Sequence, residues 1–164
     1  MADQPFDLEA HPRRTKVRLR LSMPAASEAE RLGLPGLLQA KTTNGVTALS
    51  MGPDQWLLLS DELSADQLIA RCESELANVR HLAVDFSAAL NCATLRGEAV
   101  PGLLSMGAGI DWSAQCVRTR FAAIPVVAHR HSADSFDFYY DRSFRYYLGE
   151  WIAHALRDPL LAAG

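Results

Sequence analysis

The chain has 164 residues, a formal net charge of −3 and 49% hydrophobic positions, enough apolar material for one globular domain or two small fused halves. A chain this long buries roughly 70% of the surface it exposes when unfolded, so neither metals nor disulfides are required to hold it. The acid excess argues against a general nucleic-acid binder. No stretch approaches a membrane span, and the start has no signal-like apolar core, so the expectation is a cytoplasmic protein.

Residues 1–12 are polar, contain two prolines and lack a period, which reads as an N-terminal arm, disordered or draped over something. "TKVRLRLS" then alternates as a first strand, with Lys16, Arg18 and Arg20 on one face and Val17, Leu19 and Leu21 on the other. The basic row is either a solvated strand face or a contact for an acidic protein partner. A helix over Ala25–Leu32 is stopped by Gly33 and Pro35.

"TNGVTALSMGPDQWLLLS" reads as two strands joined at Gly52-Pro53-Asp54, the second an apolar run buried on both faces. Residues 64–77 form an amphipathic helix. Ser64 and Gln67 have capping-box spacing, and Leu68, Ile69, Cys72 and Leu76 share a face.

A second strand system is expected from "RHLAVDFS" and "NCATLRG", followed by a short helix in "EAVPGLLSMG". "CVRTRFAAIPVVAHRH" and "SFDFYYD" read as strands. Pro125 suggests an edge or a bulge, and Phe136, Phe138 and Tyr140 alternate with a more polar face of Ser135, Asp137 and Tyr139. From Arg142 to Leu156, apolar residues recur at helical spacing, predicting a final helix packed on a sheet.

The order strand, short helix, strand pair, long helix occurs twice, with "LPGLLQ" and "VPGLLS" at 34–39 and 100–105 in corresponding places. The expectation is one α+β domain over 13–164, built of two βαββα-like halves, about 13–78 and 79–158, with helices on an antiparallel or mixed sheet.

Chemistry is sparse. His129 and His131 form His-x-His, which on a strand puts both imidazoles on one face, as metal sites require; Asp134 and Asp137 are near in sequence, but two exposed histidines beside a turn need no metal. Asp85 ends a buried strand, as an acid-base carboxylate or as a cap for the next turn, and the same choice applies to Asp111. Cys72, Cys92 and Cys116 are odd in number and widely spaced, which reads as reduced, buried thiols. Trp56 and Trp151 read as core indoles, each with one hydrogen-bond partner. No phosphate loop, hydrolase elbow or Ser-His-Asp set declares itself.

"LSMGPDQWLLLS", "VDFSAALNCATLRGE", "GIDW" and "FDFYYDRSFRYYLGEWIAHAL" together resemble the gamma subunit of heterotetrameric sarcosine oxidase, over about residues 46–157. That subunit is similar in turn to the folate-binding domain of aminomethyltransferases, an α+β fold. The resemblance implies a chain without catalytic groups or cofactors of its own, acting in assembly. Its partners would be a large alpha flavoprotein subunit and further subunits that hold FAD, FMN, NAD, tetrahydrofolate and zinc. The whole complex demethylates sarcosine oxidatively to glycine, passing the one-carbon unit to tetrahydrofolate and forming hydrogen peroxide. Where a "DVSH"-like turn is expected the chain has "DFSAA", without the histidine. The alternative is a stand-alone folate or one-carbon-carrier binding module, with Asp85 and Arg96 as pocket candidates.

Overall fold

A computed structural model describes residues 6–22 and 25–158. In chain order the elements are β1 (Phe6–Asp7), β2 (Thr15–Leu21), α1 (Ala25–Arg31), β3 (Ala40–Thr43), β4 (Val46–Gly52), β5 (Gln55–Ser60) and α2 (Ala65–Glu75). Then come β6 (His81–Asp85), β7 (Leu90–Arg96), α3 (Val100–Gly107), β8 (Cys116–Phe121), β9 (Ile124–Ser132) and β10 (Ser135–Asp141). A 3-10 turn, Arg142–Phe144, leads into α4 (Arg145–Ala155). No helix among the described residues is long and apolar enough to cross a membrane.

The chain divides into two units. The first comprises Arg13–Leu90 with Gln115–Val117; the second comprises the residues through Pro12, Asn91–Ala114 and those from Arg118 onward. The first unit has a five-stranded sheet in the order β3-β4-β5-β2-β6, and the second has one in the order β1-β7-β10-β9-β8. Reversing the second order to β8-β9-β10-β7-β1 matches the two strand by strand. Each unit is therefore a βαβββα repeat with one outer strand taken from elsewhere: β6, which follows α2, in the first, and β1, which precedes β2, in the second. The fold is α+β, as expected from the doubled element order, with one more strand per repeat than the pair foreseen. The shared tetrapeptide is not part of that repeat, since "LPGLLQ" lies in the loop after α1 while "VPGLLS" is α3 itself.

Three local differences from the sequence reading have physical causes. The extra strand β3 joins β4 through Asn44 and Gly45, both at positive φ (50° and 75°), the turn type that Asn-Gly favours in hairpins. β6 does not open the second sheet: Val17 pairs with Asp85 and Leu21 with His81, because a strand leaving α2 returns to the sheet that α2 covers. Pro125 does not lie on an edge strand. It is the second residue of β9, which runs between β10 and β8, and the start of a strand tolerates a missing donor.

In the first unit, Val17, Leu19 and Leu21 face α2 with Trp56, Leu58, Leu68 and Cys72 in one buried cluster. Trp56 donates from Nε1 to Pro35 O at 2.8 Å, a core indole with its polar atom satisfied. Ser64 caps α2 reciprocally: its hydroxyl accepts from Gln67 N, and its own N donates to Gln67 Oε1. In the second unit Phe121 sits amid aromatic rings, with centroids 4.8 Å from Phe138 and 5.1 Å from the half-buried Trp151. The β8–β9 turn is made by Ala122 and Ala123 at φ 49° and 67°, where each side chain costs about 1–2 kcal/mol. Three bonds hold it: Ala122 N to Gly107 O at 3.0 Å, Tyr147 Oη to Ala122 O at 2.9 Å and Arg120 Nε to Ala123 O at 3.2 Å.

Candidate functional site

Asp85 and Asp111, the carboxylates weighed from the sequence as acid-base groups or caps, are used in turns, and Asp141 joins them. Ser87 N donates to Asp85 Oδ1 at 2.8 Å, Ser113 N to Asp111 Oδ1 at 2.9 Å and Ser143 N to Asp141 Oδ1 at 2.9 Å. The spacing Asp-x-Ser thus recurs as an Asx turn, closing a strand at Asp85 and at Asp141. In all three, hydrogen bonds from that serine hold the carboxyl below its ordinary value. Asp85 is exposed and belongs to the first unit, whereas Arg96 is exposed at the end of β7 in the second.

The basic row of β2 is less free than its alternation suggested. Lys16 is only 3% exposed, and its Nζ donates to Arg14 O at 3.1 Å. Arg18 donates to Gln55 Oε1 at 2.6 Å and lies 5.9 Å from the Phe86 ring centroid. Arg20 pairs with Asp54 at 3.0 Å. The cause is nonlocal, since β2 runs inside its sheet between β5 and β6. Beyond it, at the edge, Leu82 (opposite Arg20) is 60% exposed and Val84 (opposite Arg18) 39%. An outer strand with apolar side chains open to solvent is a surface suited to another protein.

His129 and His131 do share a face of β9, with ring centroids 4.4 Å apart. They gather around an acid that the sequence reading noted near them in the chain and placed on the more polar face of its strand. Asp137, opposite His129 on β10, is 2% exposed. Its Oδ1 accepts from Thr94 Oγ1 at 2.6 Å, while Oδ2 lies 3.1 Å from His131 Nε2 and 3.7 Å from His11 Nε2. Burial pushes the Asp137 carboxyl up, but the Thr94 hydroxyl and His131, with His11, outweigh it and hold it below its usual value. Among the described residues no group of three or more His, Cys, Asp or Glu has the arrangement for a metal ion. The cluster instead ties β7, β9 and β10 to the segment before β2. That segment is also fixed by Tyr140 Oη donating to Leu8 O at 2.9 Å and by Arg145 pairing with Glu9 at 3.0 Å. Asp137, an acid flanked by the aromatic residues of "FDFYY", was the available signal for this cluster.

The first unit also holds a half-open cavity of about 150 Å³ between the end of α1, α2 and the helix-bearing face of the sheet. Leu19, Ala48, Leu58, Leu68 and Cys72 form its floor, and Lys41, Arg71 and Glu75 line it where it meets solvent. Nothing in the sequence pattern announced it, because it needs three elements to close.

Neither a protein-family model nor a curated protein sequence matches the chain. Among solved structures, a chain of heterotetrameric sarcosine oxidase from Corynebacterium sp. U-96, in complex with pyrrole 2-carboxylate, has the same fold. The TM-score is 0.78 at 22% identity, covering 95% of this chain and 86% of that one. The regulatory subunit of aspartate kinase from Thermus thermophilus is more distantly similar, with a TM-score of 0.52 at 9% identity, covering 93% and 97%.

Proposed function

We propose that the chain is a non-catalytic subunit of a sarcosine oxidase-like complex in the cytoplasm, of the gamma type, with a structural role in assembly. The observation that carries this reading is the likeness in fold to a sarcosine oxidase chain along 95% of the sequence. The turn-strand "GPDQWLLL" and the closing "RSFRYYLGEW" support it as the segments most like that subunit. In this reading the complex oxidises sarcosine to glycine. The flavins, nicotinamide dinucleotide, tetrahydrofolate and zinc belong to other subunits, and the partner is the large flavoprotein subunit.

The exposed Leu82 and Val84 at the β6 edge, beside Arg18 and Arg20, supply a surface for that partner. A stable contact there would bury more than ~1,000 Å² in total. Co-expression with a sarcosine oxidase-type flavoprotein subunit, followed by size-exclusion chromatography, should give one co-eluting complex. The double substitution Leu82→Glu with Val84→Glu should weaken it. Two separate peaks for the wild-type proteins at micromolar concentration would overturn the proposal.

A further inference from the structure

We infer that the cavity of the first unit is a binding site for a small monocarboxylate with an apolar body of about five or six heavy atoms. The inference is independent of the assembly role proposed above. Its first ground is the build of the wall. Lys41 pairs with Ala48 across β3 and β4, Ala48 with Leu58 across β4 and β5, and Leu58 with Val17 across β5 and β2. These four side chains therefore form one row across the helix-bearing face, apolar and buried at Val17, Ala48 and Leu58, and cationic at the outer end.

The second ground is charge. No carboxylate among the described residues lies within ion-pair distance of Lys41, and its Nζ stands close over Gly33, 3.4 Å from where a Cβ there would be. The other two charges at the opening neutralise each other: Arg71 Nε meets Glu75 Oε1 at 2.8 Å, and Arg71 also donates to Asn44 O. The opening thus carries one uncommitted positive charge above an apolar floor. Cys72 adds no negative charge, because burial pushes its thiol up to about 11.

The third ground is size. A volume of about 150 Å³ over an apolar floor accommodates a benzene-sized guest, which sets the body of the ligand, and a carboxylate at its end reaches the ammonium at the open side. An inward-facing lysine on an edge strand also discourages strand pairing between molecules. That function alone predicts no ligand, which makes the two separable.

The test is a titration of the full chain with hexanoate and, separately, 1-hexanol, followed by methyl NMR at Ala48, Leu58 and Leu68. Hexanoate should give saturable shifts confined to these methyls. Lys41→Met, at an exposed position, should weaken hexanoate about fivefold and leave 1-hexanol unchanged. Ala48→Val, which fills the floor, should weaken both. If that variant does not fold, the wild-type and Lys41→Met titrations decide by themselves. No saturable shift with hexanoate, or hexanoate affinity unaltered by Lys41→Met, would overturn the assignment. Self-association of Lys41→Met without any change in hexanoate affinity would leave edge protection as the residue's only role.

Discussion

Gly107 closes α3 directly against the Phe121 ring, and a single methyl there tests how rigid the aromatic cluster is. A Cβ built on Gly107 would stand 2.0 Å from Phe121 Cε2, 2.3 Å from Cδ2 and 2.6 Å from Cζ, against an ordinary contact of about 3.4–4 Å. Either the ring or the helix end must move by more than an ångström. The ring is fully buried, with Trp112, Phe138 and Trp151 around it at 6.1, 4.8 and 5.1 Å between centroids. The helix end is tied by Gly107 O accepting from Ala122 N in the strained β8–β9 turn. Overpacking of this depth costs about 3 kcal/mol, and alanine returns up to about 1 kcal/mol in helix propensity. Gly107→Ala should therefore lose about 2 kcal/mol and lower Tm by about 4–8 °C for a chain of this size. Thermal and urea unfolding, followed by far- and near-UV circular dichroism, measure it. Adding Phe121→Leu should relieve the clash, so that the double variant loses about 1 kcal/mol or more less than the sum of the singles. A Gly107→Ala protein that melts within a degree of the wild type, or strict additivity in the pair, would refute the account of a locked cluster.

Ala123 is exposed at φ 67°, so Ala123→Gly should stabilise the protein by about 1 kcal/mol, seen as a higher urea midpoint at unchanged m-value. Ser64→Ala, which removes the hydroxyl half of the α2 capping box and keeps the backbone half, should cost about 1 kcal/mol in the same assay. The Asp137 carboxyl is held below its unfolded value, so its contribution is present above about pH 4 and is lost as pH falls through the folded pKa. Thr94→Val should flatten that part of the pH–stability curve between pH 2 and 5; an unchanged curve would deny the Thr94 bond its role. Cys72 and Cys116 are pushed up by burial to about 11 and about 12, so the native chain at pH 8 should react slowly with a disulfide reagent and release all three thiols only on unfolding. A fast equivalent in the native protein would contradict this.

Legibility in the sequence followed locality. The alternation of β2, the apolar run of β5 and the capping box of α2 are each written within a dozen residues, and each stands where the pattern put it. Asn44-Gly45 carried an equally local signal for β3. The turn at Ala122-Ala123 did not, because its positive φ values are imposed by bonds from Gly107, Tyr147 and Arg120 and owe nothing to residue type. Which sheet β6 joins, and how deeply Lys16 is buried, depend on neighbours far along the chain, as do the companions of Asp137. Thr94 and His11 are distant in sequence from that acid, so only the folded sheet could reveal what compensates its burial.

The exchange of outer strands between the two repeats sets a timetable for synthesis on the ribosome. Every strand of the first sheet lies between Thr15 and Asp85, so that sheet can close once this stretch has emerged. Phe6 pairs with Leu95, so it has to wait for nearly ninety further residues, a delay of roughly 5–20 s at ordinary elongation speeds. Force measurements on arrested nascent chains should record the first sheet closing before the N-terminal segment docks, and the reverse order would rule the timetable out. A bulky tag placed just ahead of β1 would accordingly disturb the second unit, while leaving its immediate neighbours in the chain intact.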